Sequence, residues 1–292
     1  MDSLSNVLGK DAIIRKNVSG RELTTLKCGG KVKLVCYPET VDALTKAVEY
    51  ATAENIDFYV LGNGSNVIIK DGGYSGLVIK TNRLKGIKVL GDTVEAGAGV
   101  RNYELVDFTL KNGLAGLEFL SQIPATVGGM AYSNAGAIGH DFSDVFVSCE
   151  TIKDGKVVTL GKKDVSFGYR TSDIDGIIFS VTLSVKKDDR ENIYAKIKRN
   201  AEIRKNQPKL NTCGSVFINP VGRNAGKMLD DAGVKGYTFG KMKISEKHAN
   251  FIVNTGGGTS AEAIFLIDEM KRIIKEKYDV ELVTEIRFLG DD

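Results

Sequence analysis

The sequence lacks the segments that direct a protein to a membrane or out of the cell. The first twenty residues carry five charges, at Asp2, Lys10, Asp11, Arg15 and Lys16, and contain no apolar run of signal-peptide length. No later segment approaches the roughly 20 consecutive apolar residues that a membrane-spanning helix needs. We therefore expect a cytoplasmic protein without membrane attachment.

Cysteine is scarce in the sequence, and the net charge is small. Four cysteines, at positions 28, 36, 149 and 213, include no pair at CxxC spacing, which argues against a zinc site or a dithiol redox motif. We expect all four to be reduced and structural, and we expect no metal. The net charge is only +3, with acids and bases interleaved, so nucleic acid is not an expected partner. We expect a monomer acting on small molecules.

The rest of the composition is that of an ordinary globular protein. Hydrophobic residues make up 42% and charged residues 26% of 292 positions, which is long enough for two or three lobes. Glycine is the exception, with 33 residues, or about 11%, against a typical share of roughly 7%. These glycines are clustered, so the clusters are the first candidates for binding loops.

The first cluster, GNGSN at residues 62–66, connects two predicted strands. A helix over residues 40–55 is followed by a strand at 58–61, the glycine turn and a second strand at 67–69. This order argues against a Rossmann fingerprint or a P-loop, in which the glycine turn opens a helix. A second cluster, EAGAG at residues 95–99, lacks the third glycine of that fingerprint.

The third cluster, residues 116–139, reads GLEFLSQIPATVGGMAYSNAGAIG and is uncharged apart from Glu118. Its small residues let backbone approach a ligand closely. Backbone amides of this loop and of the 62–66 turn could converge on one pyrophosphate. The alternative is that the small residues serve only tight packing of a buried loop.

Four further segments are predicted in the later part of the chain. Residues 177–185 alternate as a strand whose buried face consists of Ile177, Phe179, Val181, Leu183 and Val185. A charged connector with a helical pattern follows over residues 186–209. Thr259 and Glu262 form a capping box that opens a helix reaching about residue 278. Residues 280–289 are predicted as a strand with one shared face, formed by Glu281, Val283, Glu285 and Arg287.

Seven motifs together resemble one family. VLGNGSN, GLEFLSQIPATVGG, NAGAIG, FGYRTS, GSVFINP, SEKHANFIVN and TEIRFLG lie between residues 60 and 290. They are similar to the UDP-N-acetylenolpyruvoylglucosamine reductases, and the resemblance covers the chain from about residue 24. The resemblance implies an α+β fold, in which a two-lobed FAD-binding domain of the vanillyl-alcohol-oxidase (PCMH) type is followed by a smaller α+β substrate-binding domain. We place an extension at residues 1–20, the FAD domain at 21–188 and the substrate domain at 189–292.

The same resemblance implies FAD as cofactor, NADPH as hydride donor and UDP-N-acetylglucosamine enolpyruvate as substrate, reduced to UDP-N-acetylmuramate for peptidoglycan synthesis. The residues that would contact FAD lie in the two glycine loops and the NAGA segment. They are Gly62, Asn63, Gly64, Ser65, Asn66, Ala125, Thr126, Val127, Gly128, Gly129, Asn134, Gly136 and Ala137.

Three residues match the family's catalytic positions. Arg170 is the arginine of FGYR, and its guanidinium can hold a carboxylate at any working pH. Ser215 in GSVF matches the proton donor, and Glu285 matches the catalytic glutamate. Without the family match, a surface ion pair, a turn serine and a solvated glutamate would be the ordinary interpretations.

Further candidates for substrate contact are less specific. Arg204 with Lys205, and Asn219, would contact the UDP diphosphate, while Tyr169, His248 and Arg287 would lie near the site. His248 is equally compatible with an ordinary loop position.

The chain departs from the family pattern at three positions. Gln122 and Ala125 stand where the family's SGIPGTVGG loop has glycine, and Ala125 is tolerated only if its φ is negative. Thr284 replaces the proline that commonly precedes the glutamate. No insertion can form the extra tyrosine-bearing loop of the longer family type, so the shorter type is implied.

Three other functions are compatible with parts of the sequence. An FAD-dependent oxidase of the same fold would often tether flavin through histidine, and only His140 is available in the FAD region. A non-catalytic flavin-binding module would have no need of Arg170, Ser215 and Glu285 together. A Rossmann dehydrogenase lacks its fingerprint here.

Overall fold

A computed structural model of the chain describes residues 2–291. Several of its helices begin at a residue whose side chain accepts a hydrogen bond from the first turn, as helix N-caps do. Thr40 accepts from the amide of Ala43 (3.1 Å) and Asn224 from the amide of Lys227 (2.8 Å). In residue bounds, the helices are α1 Asp2–Leu8, α2 Gly20–Leu23, α3 Val41–Ala53, α4 Asn102–Lys111, α5 Val127–Tyr132, α6 Arg190–Ile203, α7 Ala225–Asp231 and α8 Ser260–Tyr278.

The strands are mostly short. In chain order they are β1 Ala12–Ser19, β2 Lys31–Pro38, β3 Phe58–Leu61, β4 Val67–Ile69, β5 Tyr74–Lys80, β6 Ile87–Leu90, β7 Thr93–Gly97, β8 Leu114–Ala115, β9 Gly136–Ala137, β10 His140–Asp141, β11 Phe146–Lys153, β12 Lys156–Gly161, β13 Phe167–Gly168, β14 Thr171–Ser172, β15 Ile177–Ser184, β16 Lys186–Lys187, β17 Thr212–Ser215, β18 Thr238–Phe239, β19 Met242–Ile244, β20 Phe251–Asn254 and β21 Arg287–Leu289. The predicted strand–turn–strand at residues 58–69 is confirmed by β3 and β4.

The described chain separates into two units, each made of more than one stretch. Unit 1 contains the chain up to Arg15, Val35–Asn63 and Gly76–Lys205, and unit 2 contains Lys16–Leu34, Gly64–Ser75 and the chain from Asn206 onward. These units are not continuous in sequence, in contrast to the three continuous segments proposed above, whose boundaries stay a prediction.

Unit 1 is built around an antiparallel sheet in the order β12-β11-β15-β7-β6. On the predicted inner face of β15, Phe179, Val181 and Leu183 are buried, as is Val185 just beyond the strand, whereas Ile177 is half-buried. Residues of α4 and α5 complete the same apolar core. In the same unit, β3 pairs in parallel with residues 77–80 of β5.

Unit 2 is built around an antiparallel sheet in the order β17-β20-β19-β18, against which α8 packs. The predicted capping box is confirmed, since Thr259 accepts from the amide of Glu262 (3.2 Å) and Glu262 accepts from the amide of Thr259 (3.2 Å). Leu26 and Ile68 belong to the same core as the apolar stripe of α8, which is why the two early stretches fold with the last third of the chain.

The predicted strand over residues 280–289 is wrong for most of its length. Only β21 is a strand, parallel to β4, and the buried residues before and in it, Leu282, Ile286 and Leu289, are spaced by four and three instead of two. The segment changes partner on the way. The amide of Glu285 donates to Val216 O (2.8 Å), and the amide of Arg287 donates to Asn66 O (3.0 Å). A regular alternating face cannot persist through such a change.

The four cysteines are free and buried. Burial raises the pKa of Cys28 and of Cys36 to about 12 and that of Cys149 to about 11, and it raises the pKa of Cys213 as well. These thiols are therefore poor nucleophiles at neutral pH. Among residues 2–291, no helix has the length and apolar character to cross a membrane.

Candidate active site

The 62–66 turn requires a glycine at its centre. Gly64 has φ +71°, in the left-handed region that glycine adopts at little cost. A Cβ on Gly64 would lie 2.2 Å from the carbonyl oxygen of Leu23, so no other residue fits there without movement. The turn thus follows a path that only glycine permits.

Four consecutive amides of this turn have no acceptor in the chain. Within residues 2–291, the N–H groups of Asn63, Gly64, Ser65 and Asn66 donate to no backbone or side-chain acceptor. Successive amides in a left-handed turn form a concave site for an oxyanion. This arrangement fits the phosphate oxygens of a dinucleotide.

In unit 1, the start of the turn is held by two hydrogen bonds and leaves no room for a side chain at Gly62. The ammonium of Lys80, a buried residue, donates to Gly62 O (2.8 Å), and the side-chain amide of Asn63 donates to Pro124 O (2.6 Å). A Cβ on Gly62 would lie 2.5 Å from Thr126 Oγ1. Lys80 was not singled out from the sequence, because a lysine at the end of the apolar run of β5 has no distinctive motif.

In unit 2, the end of the turn is bonded to the segment that carries Glu285. The side-chain amide of Asn66 donates to Glu285 O (3.0 Å), and Asn66 O accepts from the amide of Arg287 (3.0 Å). The turn and the candidate glutamate are therefore parts of one hydrogen-bonded structure.

Four of the five amides of residues 125–129 have acceptors within the chain. Thr126 is the N-cap of α5 and accepts from the amide of Gly129 (3.4 Å). The amides of Ala125, Val127 and Gly128 donate to the carbonyl oxygens of Ile123, Val100 and Ala98 at 2.9, 2.9 and 3.0 Å. The amide of Thr126 is not among these bonds, and the convergence of this loop on an oxyanion stays a prediction.

Close packing explains one glycine of this loop. A Cβ on Gly128 would lie 2.8 Å from the Cβ of Ala98, so the alternative of tight packing applies there. Residues 125–129 remain candidates for contact with flavin by position only. Neither Gln122 nor Ala125 has a positive φ, so the condition for tolerating Ala125 is met.

Arg170 occupies the turn between β13 and β14. Its Nη1 donates to Asp141 Oδ1 and its Nη2 to Gly136 O, both at 3.2 Å. The guanidinium carbon lies 4.8 Å from the centroid of the Tyr169 ring, within the range of a cation–π contact. The structure thus brings together the predicted Arg170, Tyr169 and Gly136.

Asn134 links the NAGA segment to the same hairpin. Its side-chain amide donates to Gly168 O (2.8 Å), and its side-chain oxygen accepts from the amide of Ser143 (3.0 Å). Ala137 is in β9 and pairs with His140 in β10. Asn134 therefore fixes the segment that presents Gly136 to Arg170.

Arg204 adds a second positive charge to this part of unit 1. It is the C-cap of α6 and is half-buried. Burial, and then repulsion by the charge of Arg170, lower the pKa of Arg204. The charges of Arg170 and Arg204 together make this part of unit 1 attractive to an anionic ligand. Lys205 pairs with Glu202.

In unit 2, Ser215 and Glu285 lie on adjacent backbone segments. Ser215, the last residue of β17, pairs with Phe251, and Glu285 bonds to Val216, the next residue along the chain. Both side chains are half-buried. The buried Asn250 fixes this segment by exchanging hydrogen bonds with Phe217 (3.0 and 2.9 Å).

The remaining substrate candidates of unit 2 have structural contacts of their own. Asn219 Oδ1 accepts from the amide of Ala225, the first residue of α7 (3.0 Å). His248 Nδ1 accepts from the amide of Asn250 (3.2 Å), and the His248 ring lies against Gly226. Roles for Asn219, His248 and Arg287 in substrate contact stay predictions.

Two protein families match separate parts of the chain. The family described as UDP-N-acetylenolpyruvoylglucosamine reductase, C-terminal domain, matches residues 206–289, and the FAD binding domain family matches residues 32–161. These matches confirm the predicted fold class of an FAD-binding domain followed by a reductase-type C-terminal domain.

Whole-length relatives agree with the domain matches. The UDP-N-acetylenolpyruvoylglucosamine reductase of Enterococcus faecalis is 38% identical over 278 residues, which cover 93% of each chain. The reductase of Clostridium tetani is 35% identical and covers 100% of this chain and 97% of its own. The crystal structure of the reductase from Thermus caldophilus has a TM-score of 0.85 at 32% identity, over 95% of this chain and 100% of that chain.

Proposed function

Because the chain belongs to the UDP-N-acetylenolpyruvoylglucosamine reductase family, we propose that it reduces UDP-N-acetylglucosamine enolpyruvate to UDP-N-acetylmuramate with NADPH as the hydride donor. It is an FAD-dependent oxidoreductase of peptidoglycan synthesis. We place its reaction in the cytoplasm, where the nucleotide-linked precursor and NADPH are available, and we propose that it works as a monomer.

The observation that carries this proposal is the Arg170 guanidinium of unit 1, oriented by Asp141 and Gly136 O. The substrate has a carboxylate on its enolpyruvyl group and a diphosphate in its UDP group, so it needs cationic contacts at both places. Arg170 is fixed by two acceptors, and its charge acts on Arg204. We assign Arg170 to the carboxylate and Arg204 to the diphosphate.

The chain fits FAD at the 62–66 turn. The unsatisfied amides of Asn63, Gly64, Ser65 and Asn66 would hold the pyrophosphate, while residues 125–129, Asn134, Gly136 and Ala137 would line the flavin. When bound, FAD supplies the hydride chemistry that protein side chains lack.

The protein's own groups would handle the charge and the proton. Negative charge builds up on the substrate carboxylate during reduction of an enol ether. Arg170 would stabilise that charge with its guanidinium, and by the family resemblance Glu285 would contribute to the same stabilisation. Ser215 would act as general acid and deliver a proton to the substrate carbon that bears the carboxylate. Tyr169 would hold the Arg170 guanidinium through its ring face.

The rival oxidase is disfavoured by the last third of the chain. Residues 206–289 match the C-terminal domain of the reductase family. An oxidase of the same flavin fold would not be expected to share that domain. His140, the one candidate for a flavin tether in that prediction, has its Nδ1 3.1 Å from Asp144 Oδ2.

Anaerobic visible spectra of the purified protein test the proposal. NADPH should bleach the yellow flavin absorbance, and UDP-N-acetylglucosamine enolpyruvate should restore it. Ser215→Ala should keep flavin and its bleaching by NADPH while slowing the return of colour by orders of magnitude. The proposal fails if no flavin is present, or if oxygen restores the colour and the sugar nucleotide does not.

A further inference from the structure

Asp141 lies directly on the guanidinium of Arg170 within unit 1. Its Oδ1 accepts from Arg170 Nη1 (3.2 Å), and the side chains are 43% and 20% exposed, respectively. An ion pair this close to water contributes little stability. The contact is therefore more informative about the orientation of Arg170 than about folding.

The backbone of Arg170 is strained. Its φ is +61°, a left-handed conformation that is unfavourable for a residue with a Cβ. Strained backbone of this kind persists where the surroundings hold it, and it is concentrated at functional sites. The Asp141 and Gly136 acceptors fix the plane of the guanidinium at the end of a side chain that otherwise has many rotamers.

Gly136 makes the fit close. Asp141 and Gly136 are paired across β9 and β10, and the carboxylate and guanidinium both lie over the α-carbon of the glycine. A Cβ on Gly136 would be 1.8 Å from Asp141 Oδ1 and 2.6 Å from Arg170 Nη1. The glycine of the NAGA segment is thus required by the ion pair, whatever its contact with flavin.

Charge gives a second reason for a carboxylate at this position. Arg170 and Arg204 repel one another, and Asp141 supplies a negative charge beside Arg170.

We propose that Asp141 is a positioning residue for Arg170, holding its guanidinium in the orientation that receives the substrate carboxylate. Asp141 acts through Arg170 and does not itself touch the substrate. This inference rests on the proposed function, because it deepens the role given to Arg170 there.

The test is the reoxidation of the reduced holoenzyme by UDP-N-acetylglucosamine enolpyruvate in an anaerobic stopped-flow experiment. Reduction with dithionite avoids any effect on NADPH. Asp141→Asn keeps the size of the side chain and removes its charge. We expect the limiting reoxidation rate to fall roughly tenfold or more, as small misplacements of catalytic groups do, with FAD content and melting temperature unchanged.

Two further variants and a control make the result specific. Gly136→Ala displaces the pair without changing charge and should slow the same step. In an Arg170→Lys background, Asp141→Asn should have little further effect, because residues that act together are not additive. Asp175→Asn removes an exposed carboxylate of unit 1 that pairs with Lys153 (2.6 Å) and should react at the wild-type rate.

The outcomes separate the two proposals. Wild-type reoxidation of Asp141→Asn, or a full additional loss in the Arg170→Lys background, overturns the role of Asp141 and leaves the function standing. Failure of the reduced wild-type enzyme to be reoxidised by the sugar nucleotide overturns the proposed function and this inference with it.

Discussion

The side-chain amide of Asn66 donates a hydrogen bond of 3.0 Å to the main-chain carbonyl of Glu285, 219 residues later in the chain. Two residues on, the amide of Arg287 donates to Asn66 O (3.0 Å). The last residue of the 62–66 turn thus fixes the backbone of the candidate glutamate. In unit 2, the position of Glu285 and the shape of the turn depend on each other.

Replacement of Asn66 by aspartate should therefore affect both stability and turnover. The carboxylate would face the Glu285 carbonyl without a donor, and the loss should be about 1–2 kcal/mol in the free energy of unfolding. Reoxidation by the sugar nucleotide should also slow. Urea unfolding followed by circular dichroism measures the first effect. Asn55→Asp, in an exposed turn after α3, is the matched control, and equal unfolding midpoints for the two variants would contradict the prediction.

Lys80 should contribute to FAD affinity. It is buried, and its ammonium holds Gly62 O (2.8 Å), so Lys80→Met keeps most of the stem and removes the donor. Hydrogen bonds to charged groups contribute about 1.5–3 kcal/mol, and the Kd for FAD should rise roughly tenfold or more. Titration of the apoprotein by flavin fluorescence measures it. Lys33→Met on β2 should bind FAD as wild type does, and a similar Kd for both variants would count against the role of Lys80.

Local signals predicted local structure well. Helix α3, strands β3 and β4 and the capping box at Thr259 each follow from residues within one or two turns or strands. Helix caps and alternating apolar positions are physical causes that act over such distances. These parts of the fold could be predicted from the sequence.

Contacts between distant residues could not be predicted in that way. The partner of residues 280–289 changes from the Val216 segment to Asn66 and β4, and no pattern in the segment itself records this change. Asp141 and Lys80 are of interest because of their partners in the fold, Arg170 and Gly62, which are distant in sequence. The catalytic candidates follow only from the family resemblance. The residues around Arg170, for example, contain no pattern that by itself indicates a catalytic arginine.

A side chain at Gly64 would be opposed by two effects, the strain of a positive φ and a collision with Leu23 O. A comparison with Gly91 separates them. Gly91 has a similar φ, +64° against +71°, but a Cβ there would meet nothing within 4 Å. Gly91→Ala should cost about 1–2 kcal/mol of stability from the backbone alone. Gly64→Ala should cost clearly more and should purify with less FAD, because its Cβ would approach Leu23 O to 2.2 Å. Equal costs, measured by urea unfolding, would mean that the turn relaxes away from Leu23.

Buried thiols should make the protein less stable in alkaline solution. The pKa of Cys36 is raised by burial from 9.0 to about 12, so in the unfolded chain the thiol ionises near pH 9 while in the folded chain it keeps its proton. Below pH 9 both states are protonated and this thiol gives no pH dependence. Between pH 9 and 12 the unfolded state is favoured by up to about 1.4 kcal/mol per pH unit for such a thiol.

The decrease in unfolding free energy from pH 8 to pH 10.5, measured with urea, should therefore be smaller in Cys36→Ala than in wild type, whatever the cost of the cavity at pH 8. Equal decreases in the two proteins would show that the Cys36 thiol ionises alike in the folded and unfolded chain.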